Sequence, residues 1–525
     1  FSMTALTAGT QNTALGLNSL LRLTSGDFNT AVGVASLENV ATTDNNTAVG
    51  RQAGYFTTGA DNTYIGFRSG FGGSSAASNS SNTGVGYFSL TSITTGANNT
   101  IIGKNAGDAL TTGDRNLALG VDALGGSTDV DRATIVGTFA GQADMTSDAD
   151  GTVLVGYEAG AAITSGIGNV AVGYSALLAE DDGDFNTAIG YEALKAQTGT
   201  SGTVANTAIG HHALTRLTTG TTNTAVGQAS QDYNRTGVNN TSVGKESLSQ
   251  LGHDDSDNNT AVGFQAMRSA GTPNNNDAKQ NVAVGSKALT AILDGDNNVA
   301  MGYLAGSAIT DGTDNITIGT SAGDNATNGD KNIFIGTKAG SGTNTNSGVV
   351  IGYKAGDAGI GHDGATIIGA EAGTLLENGE KTTAVGFKAL RAVVNNVGNT
   401  AVGWQSGIIA TGANNTLIGS QTGDTITSGF SNTCIGSSTD VTDAGAQNRT
   451  GLGQGVVLGA NHSVVLGNTD VTKVFMAQDA GATIYADSAS FGGDVSVVGI
   501  ISGSLINSSG DVVAFNVSDE RLKDN

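Results

Sequence analysis

The side chains that could perform chemistry in this sequence are mostly carboxylates. Two short acidic runs stand out, namely Glu180, Asp181 and Asp182, and Asp254 with Asp255. Carboxylate oxygens are preferred ligands of Ca²⁺, and a pair of carboxyl groups can hydrolyse a glycosidic bond. Solvated turn carboxylates are the simplest interpretation, because both runs lie among turn-forming residues. The runs alone leave these three roles open.

Other motifs for metals or cofactors are not found in the sequence. The histidines show no ligand spacing, and only the first two are adjacent; they are His211, His212, His253, His362 and His462. A Walker loop, a zinc pattern and the glycine-rich calcium nonapeptide are all missing. The single cysteine, Cys434, lies in a repeated strand and is expected to be buried filler. We therefore expect no cofactor and no metal site.

A five-residue motif organises the chain that must position these groups. Its clearest form, Asn-Thr-Ala-Val-Gly, occupies residues 46–50, and it recurs almost unchanged at 29–33, 186–190, 206–210, 223–227, 259–263 and 399–403. Its closing glycine marks 26 copies between Gly16 and Gly453, and 17 of the 25 intervals are 17 residues long. So short a period indicates one solenoid coil per repeat. The sequence predicts an all-β fold, a parallel β-solenoid (β-roll) of about 26 coils.

Alternation along the motif places apolar side chains on both faces of its strand. The residue before the glycine is always Val, Ile, Leu or Met, and it shares a face with the Thr two positions earlier. The residue between them is usually Ala but becomes Phe334 and Ile367. A strand with two apolar faces hides both, under a further layer of its own chain or against other chains. We expect the second arrangement, a homotrimer, in which Phe334→Asp or Ile367→Asp should block assembly.

Three further columns of the repeat carry structural signals. Asn opens 20 of the 26 copies, and stacked amides can hydrogen-bond along the coil axis. The closing glycine suits either a positive φ or a close backbone approach. Three residues later comes a small residue such as Ala53 or Ser89. This small column predicts a second short strand or a tight corner.

The residue directly after the glycine is often aromatic, and the longer intervals cluster at one phase of the repeat. Such a row could stack on sugar rings or cover the corner of the coil; its members are Tyr87, Tyr157, Tyr174, Tyr191, His211, Phe264, Tyr303, Tyr353, Phe387 and Trp404. Extra residues occur at 146–150, 198–204, 251–257 and 272–279. They predict loops on one edge, where a solenoid carries binding variation or drifts neutrally in length. The sequence leaves the receptor-binding residues unknown.

Composition excludes several classes of protein. The 525 residues include 81 Gly, one Pro and only 5% aromatics, which favours a solenoid of small side chains over a globular core. The net charge of −23 disfavours binding to nucleic acid or to an acidic membrane surface. No apolar run is long enough to span a membrane. We therefore expect no nucleic-acid partner and no membrane insertion.

The regular period fails after Gly453, which suggests three segments. Residues 1–453 are expected to form the repetitive shaft or head. Residues 454–517 contain short strand-like runs separated by Gly, Asn and Ser, and are expected to form a β-stranded stalk. A stalk of about 60 residues needs strands from several chains, because it cannot build a sufficient core alone. Residues 518–525 form the last segment.

The repeat resembles the head repeats of trimeric autotransporter adhesins of the YadA-like type. The shared features are the motif with its glycine and the Ala or Ser three residues later, over residues 12–453. The resemblance implies a β-roll packed around a threefold axis. The adhesin repeat is usually shorter than the repeat of this chain.

The last residues resemble the opening of the intramolecular chaperone domain of phage tail fibres and tailspikes, the S74 peptidase family. The similar residues are Ser518, Asp519 and Lys523 in the run Ser-Asp-Glu-Arg-Leu-Lys-Asp-Asn. In that family the protein cuts its own Ser-Asp bond once the trimer has folded, and a Lys five residues beyond the Ser assists. The resemblance implies autocleavage between Ser518 and Asp519 assisted by Lys523. From the lack of other catalytic motifs we expect no further enzymatic activity. The rest of the chaperone domain does not follow in this sequence.

Together these features favour a homotrimeric bacteriophage tail fibre located in the virion, with structural and host-attachment roles. Its expected partners are other phage tail proteins and a host cell-surface glycan or protein. A bacterial trimeric autotransporter adhesin head is the first alternative. A tailspike that depolymerises glycans is the second, and it needs a carboxylate-lined groove.

Overall fold

The computed structural model describes residues 2–474, apart from 74–77, 199–200, 251–255, 270–275, 343–344, 358–362, 378 and 393–396. Its contacts group Phe1–Asp470 as one unit and Val471–Asn525 as a second, of which residues 471–474 are described. The strands of the described residues all lie in the first unit.

Nearly every coil of this unit contributes one short strand, and a 3₁₀ turn lies at Ser147–Ala149. The strands are β1 (Thr13–Leu15), β2 (Thr30–Val32), β3 (Thr47–Val49), β4 (Thr63–Ile65), β5 (Thr83–Val85), β6 (Thr100–Ile102), β7 (Leu117–Leu119), β8 (Thr134–Val136), β9 (Val153–Val155), β10 (Val170–Val172), β11 (Gly183–Asp184), β12 (Thr187–Ile189), β13 (Gly202–Thr203), β14 (Thr207–Ile209), β15 (Thr224–Val226), β16 (Thr241–Val243), β17 (Thr260–Val262), β18 (Val282–Val284), β19 (Val299–Met301), β20 (Ile316–Ile318), β21 (Ile333–Ile335), β22 (Val349–Ile351), β23 (Thr366–Ile368), β24 (Thr383–Val385), β25 (Thr400–Val402), β26 (Thr416–Ile418), β27 (Thr433–Ile435), β28 (Asp440–Val441), β29 (Arg449–Leu452), β30 (Val457–Leu458) and β31 (Ser463–Leu466).

The strands of successive coils pair in parallel and in register. Thr30 lies beside Thr47, and Val32 beside Val49, so each column of the repeat stacks on itself. Twenty-seven strands form one such sheet, while β11 pairs with β13 and β28 with β30 in two small ones. The compressed repeat after Gly453 continues the main sheet, because β31 pairs with β29. The predicted all-β parallel solenoid is confirmed, with about 25 turns of about 17 residues.

The closing glycine ends each strand because two demands meet there. Gly50 has a φ of +139°, a conformation that residues with a side chain rarely adopt. A Cβ at this position would lie 2.4 Å from the carbonyl oxygen of Gly66 in the next coil. The sequence suggested two reasons for a glycine here, a positive φ and a close backbone approach, and both apply. The small residue that follows, such as the buried Ala53, lies in a turn, so this column forms a tight corner.

The Asn that opens the motif forms a buried ladder along the coil axis. Asn298 Nδ2 donates to the carbonyl oxygen of Gly312 at 2.7 Å. Its Oδ1 accepts from both the backbone N–H and Nδ2 of Asn315, each at 3.0 Å. One amide thus satisfies groups in its own coil and in the next, which removes the cost of burying it. The predicted stacking of amides is confirmed for these columns.

The middle residue of each strand points into the coil, and its size is matched across the interior. In coils where this residue is Ala, the corner residue four positions after the glycine is usually Leu, as with Ala188 and Leu194, both fully buried. Where the strand residue is large, the corner residue is Gly, as with Leu154 and Gly160. A Cβ at Gly160 would lie 2.5 Å from Leu154 Cδ2. The two columns therefore share one fixed volume.

The same pairing of a large residue with a small one recurs in other coils, with the large residue either in the strand or at the corner. Further pairs are Ile101 with Gly107, Phe334 with Gly340, Ile367 with Gly373, Leu417 with Gly423, Ala171 with Leu177 and Ala384 with Leu390. Gly407 follows an Ala strand, but the large residue is supplied by the next coil, since a Cβ there would lie 2.6 Å from Leu417 Cδ1. The constraint thus acts between neighbouring coils as well as within one.

Phe334 and Ile367 do not lie at a surface. Both side chains are fully buried inside the coil. The expectation that Asp at these positions would test an assembly interface is therefore wrong. Either substitution would place a charge in the core of the coil and disrupt the fold of a single chain.

Size matching predicts a specific rescue. Leu194→Gly removes a buried side chain and should lower the free energy of unfolding by about 2–4 kcal/mol, partly offset by relief of a positive φ. Ala188→Leu should lower it by about 1–3 kcal/mol through overpacking. The double variant reproduces the arrangement of Leu154 with Gly160 and should recover more than half of the combined loss. Urea denaturation measures all three, and strictly additive losses would contradict size matching.

Candidate functional site

The outward face of the main sheet is here called the outer stripe, and most of its residues are threonine, aliphatic or aromatic. It comprises the second and fourth residues of each five-residue motif and the residue after its glycine. In one strand, Ile101 is fully buried whereas its neighbour Ile102 is 41% exposed. A single coil therefore hides only one of the two apolar faces that the sequence predicts, and the other faces solvent in this chain.

The outer stripe carries no acidic residue. None of its positions is Asp or Glu, although the chain contains 46 such residues among 525. Its lysine, arginine and histidine members are Arg51, Lys104, His211 and Lys245. The carboxylates lie at other positions of the repeat. Contiguous exposed apolar surface of this kind marks interaction sites, and depletion of charge is typical of the centre of an interface.

The aromatic residues after the glycine stack on one another along the stripe. The ring centroids of Tyr157 and Tyr174 are 5.3 Å apart, those of Tyr174 and Tyr191 are 5.0 Å apart, and both pairs are parallel within 9°. His211 extends the stack at 5.4 Å from Tyr191. The rings are exposed, Tyr174 by 44%, so they do not bury a corner of the coil. Sugar stacking needs a free ring face, and neighbouring rings occupy these faces in the middle of the stack.

The acidic run around Glu180 is organised by the backbone. Glu180 is fully buried in a column where the preceding coil has Ile163. Its Oε1 accepts from the backbone N–H groups of Asp181 at 3.1 Å, Asp182 at 3.3 Å and Gly183 at 2.7 Å. Burial raises the pKa of the Glu180 carboxyl. Oxygens of the three carboxylates lie within 4.8 Å of one another. The observed contacts give Glu180 the role of holding a turn.

A second carboxylate pair was not recognised in the sequence. Asp424 and Asp440 lie on successive coils, near enough for a carboxyl group that carries a proton to hydrogen-bond to the other. Burial, together with this contact and the charge of Asp440, raises the pKa of Asp424 to about 6. Glycosidases hold their two carboxyl groups about 5 Å or more apart to accommodate substrate or water. Two carboxyl groups within hydrogen-bond reach of each other do not fit that chemistry. The available sequence signal was the recurrence of Asp five residues after the glycine, as at Asp108 and Asp324.

Other predicted site residues are only partly within the described chain. The insertion at 146–150 forms the 3₁₀ turn, and Gly202–Thr203 of the next one pairs with Gly183–Asp184. Several residues named from the sequence lie outside the described residues; these are His253, Asp254, Asp255, Pro273, His362, Ser518, Asp519 and Lys523. The roles of Ser518 and Lys523 therefore stay predictions from the sequence.

The fold and its outer stripe define a parallel β-solenoid repeat protein with an extended apolar surface. No protein-family model matches the chain, and the search of curated proteins found no match. Among the described residues, no helix has the length and apolar character needed to cross a membrane. The biological role must therefore be argued from the chain's own surfaces and motifs.

The Asp424–Asp440 pair predicts a pH dependence of stability. The folded pKa of Asp424, about 6, exceeds the value of about 3.9 for an unfolded chain. The folded state therefore binds the proton more tightly, and this stabilisation is complete below pH ~4 and lost as the pH rises through about 6. Asp424→Asn should stabilise the protein near pH ~7.5, by at most about 1 kcal/mol because the group is largely solvated.

Urea denaturation at pH ~4 and at pH ~7.5 measures this effect. Asp311→Asn makes the same chemical change at an exposed turn carboxylate and should shift the midpoint little at either pH. An Asp424→Asn variant with no gain at the higher pH would show that the pair is not repulsive.

Proposed function

We propose that the chain is the shaft of a homotrimeric bacteriophage tail fibre, with structural and host-attachment roles in the virion. Its partners would be two further copies, other phage tail proteins and a glycan or protein on the host surface. The single observation that carries the assembly part is the outer stripe, an apolar surface without carboxylates on a strongly acidic chain.

The size of the stripe is sufficient for stable association. About 25 turns at ~4.8 Å extend for roughly 120 Å. A width of roughly 10 Å, about three extended residues, gives on the order of 1,200 Å² per chain. Stable pairwise interfaces bury about 800 Å² per partner, so the stripe is large enough for one such interface; two neighbours in a trimer would share it, at about 600 Å² each. Repeated basic and neutral positions would also let like-charged chains approach through their least acidic face.

The phage assignment rests on the end of the sequence. Ser518, Asp519 and Lys523 have the identity and spacing of the self-cleavage junction that they resemble. Non-local registration of several intertwined chains is slow, because loop-closure entropy is lost before the contacts form. A removable domain that holds three chains together would shorten this search. Its loss afterwards would leave the shaft kinetically trapped.

Attachment would depend on many weak contacts. Three copies of a repeated surface raise the effective concentration of each further contact once the first has formed. The adhesin alternative shares the solenoid and the trimer, and differs in continuing to a coiled coil and a membrane anchor. The depolymerase alternative is less supported, because the Asp424–Asp440 pair is in direct contact.

Assembly through the stripe can be tested with acidic substitutions. Ile102→Asp, Ile189→Asp and Ile209→Asp together place three charges at positions that are 41%, 38% and 37% exposed in one chain. Burial of unpaired charges is costly, so this variant should be monomeric at a concentration where the wild type is trimeric. Light scattering should give three times 52.0 kDa for the wild type and 52.0 kDa for the variant.

The triple variant Thr95→Asp, Thr112→Asp, Thr219→Asp serves as the matched control, since it adds the same three charges at exposed turns away from the stripe. It should remain trimeric. A monodisperse wild-type monomer would contradict the assembly proposal, provided that circular dichroism shows the β-solenoid to be folded.

Cleavage can be tested in a gene product that extends beyond Asn525. The chain should break between Ser518 and Asp519 after trimers form. Ser518→Ala should leave assembly intact and abolish cleavage, and Lys523→Ala should slow it, because the serine loses its assisting base. Mass spectrometry of the product decides the matter. An intact wild-type chain after assembly would mean that these residues are not a working junction.

A further inference from the structure

The aromatic residues of this chain are concentrated in one place. Seven of its 15 Phe, 10 Tyr and one Trp residues lie between Tyr55 and Phe88. Tyr64 points into the coil and is fully buried, whereas the other six lie on the outside of three successive coils. Two arginines, Arg51 and Arg68, lie among them. Aromatic residues and arginine are the side chains most enriched at binding surfaces, so this cluster is a candidate for one.

Arg68 lies at the centre of the cluster. The carbon of its guanidinium group lies 4.8 Å from the centroid of the Phe71 ring, 5.6 Å from that of Phe67 and 5.8 Å from that of Phe88. Its Nε donates to Gln52 Oε1 at 2.8 Å. The rings and this hydrogen bond hold the planar group in one orientation. Apolar surroundings also strengthen a charge-assisted hydrogen bond, because less water competes for the donor.

Several donors of the cluster are open to solvent and have no partner in the part of the chain that the structure describes. Only the Nε of Arg68 has an acceptor there, so both Nη atoms are left for a ligand, and neither is enclosed. Gln52 Nε2 and the hydroxyl group of Tyr55 are in the same state. We call Gln52, Tyr55, Arg68, Phe71 and Phe88 the arginine patch. None of these five belongs to the outer stripe, so assembly through the stripe does not require them.

The charge close to Arg68 is positive. Arg51 lies one coil away, where its carbonyl oxygen accepts from the backbone N–H of Arg68. Asp44 and Asp61 lie beyond the opposite ends of strands β3 and β4. The other charged residues nearby are two coils from Arg68, roughly 10 Å along the axis, and they are Glu38, Lys104 and Asp108. Charges at that distance are largely screened at physiological salt, so the two arginines dominate and favour an anion.

A carboxylate suits the geometry of this patch. The two Nη atoms of a guanidinium group can hold both oxygens of one carboxylate at once. A single positive group at the contact balances a singly charged carboxylate better than a doubly charged phosphate. Gln52 Nε2 can donate to a hydroxyl of the same ligand, and the Tyr55 hydroxyl can donate or accept. The patch therefore fits a small molecule that carries one carboxylate and several hydroxyl groups.

The strands beneath the patch argue against a peptide as the ligand. Strands β3, β4 and β5 are each paired on both sides, so no free strand edge lies beside Arg68. An extended peptide gains much of its affinity by adding a strand to such an edge. A sugar needs no edge, because its own hydroxyl and carboxyl groups form the hydrogen bonds.

We propose that the arginine patch binds one carboxylated sugar of the uronic acid type, as a unit of a glycan. Its carboxylate accepts from the two Nη atoms of Arg68, its hydroxyl groups bond to Gln52 and Tyr55, and its carbon atoms contact Phe71 and Phe88. The proposal rests on the attachment function above only for the source of the glycan, since the host surface would supply it. Three copies of the patch in a trimer would strengthen a weak single contact.

Saturation-transfer NMR on the whole chain tests this proposal with matched pairs of sugars. Glucuronic acid is compared with glucose, and galacturonic acid with galactose, because each acid differs from its neutral partner only at C6. At least one acid should bind about tenfold more tightly than its partner, since it adds a bidentate charge-assisted contact. Acetate, inorganic phosphate and an acetylated diglutamate peptide serve as comparators. Equal or tighter binding of a neutral sugar or of any comparator would overturn the proposal, as would binding of neither acid.

Two variants test whether the patch is the site. Arg68→Ala should lower the affinity for the acid to that of its neutral partner. Gln52→Glu is nearly equal in size and places a carboxylate beside Arg68, so it should weaken acid binding about tenfold or more. Arg216→Ala is the matched control, because Arg216 also lies over an aromatic ring, 3.9 Å from the centroid of Tyr233, in a distant coil. It should bind like the wild type, and acid binding unchanged by Arg68→Ala would contradict the assignment.

Light scattering on the same samples separates this result from the proposed assembly. Binding of the acid by a monomeric chain would support the patch and contradict the trimer. A trimer that binds neither acid would do the reverse. Circular dichroism of each variant shows whether lost binding reflects unfolding. Arg68→Lys keeps the charge but loses the planar pair of donors, so its affinity should lie between those of the wild type and Arg68→Ala.

Discussion

In-register stacking of short parallel strands is the constraint on which the rest of this structure depends. Each residue lies directly over its counterpart in the next coil, so every column must tolerate contact with copies of itself. Asn meets this requirement because its amide both donates and accepts, as between Asn298 and Asn315. The glycine column meets it because the carbonyl of Gly66 leaves no space for a side chain at Gly50. The residues of these columns are therefore those that can stack on a copy of themselves, and their intrinsic strand propensity matters less.

Alternation along each strand then divides the chain chemically. The inward residue shares a fixed volume with the corner residue, which is why Leu154 is accompanied by Gly160 and Ala188 by Leu194. The outward residues are free of that volume limit, yet none of them is acidic. Solvation alone would not maintain such a surface on a chain with a net charge of −23. This asymmetry between interior and exterior is the physical basis for proposing lateral assembly.

Two departures from the repeat place a polar side chain in a column that is mostly apolar in other coils. Gln231 occupies a corner column that other coils fill with Leu or Gly, and a cleft lies beside it. Glu180 occupies another apolar column, but three backbone N–H groups satisfy one of its oxygens. Buried atoms without a hydrogen bond occur near both residues, namely Glu180 Oε2 and Asp182 Oδ1 in one coil, and Asp232 Oδ1 and Arg268 Nε near the other. Polar replacements in the interior are therefore only partly satisfied by hydrogen bonds.

The sequence by itself determined the coil, the strand positions and the Asn ladder, because strict periodicity makes each column report the same environment many times. It also showed that both faces of the strand are apolar. It could not decide which face is inside, and Phe334 and Ile367 were assigned to an interface although they lie in the core. The pairing of Arg268 with Glu246, and the contact of Asp424 with Asp440, were equally hidden. These contacts join residues on neighbouring coils, and only the tertiary stacking of coils of unequal length brings them together.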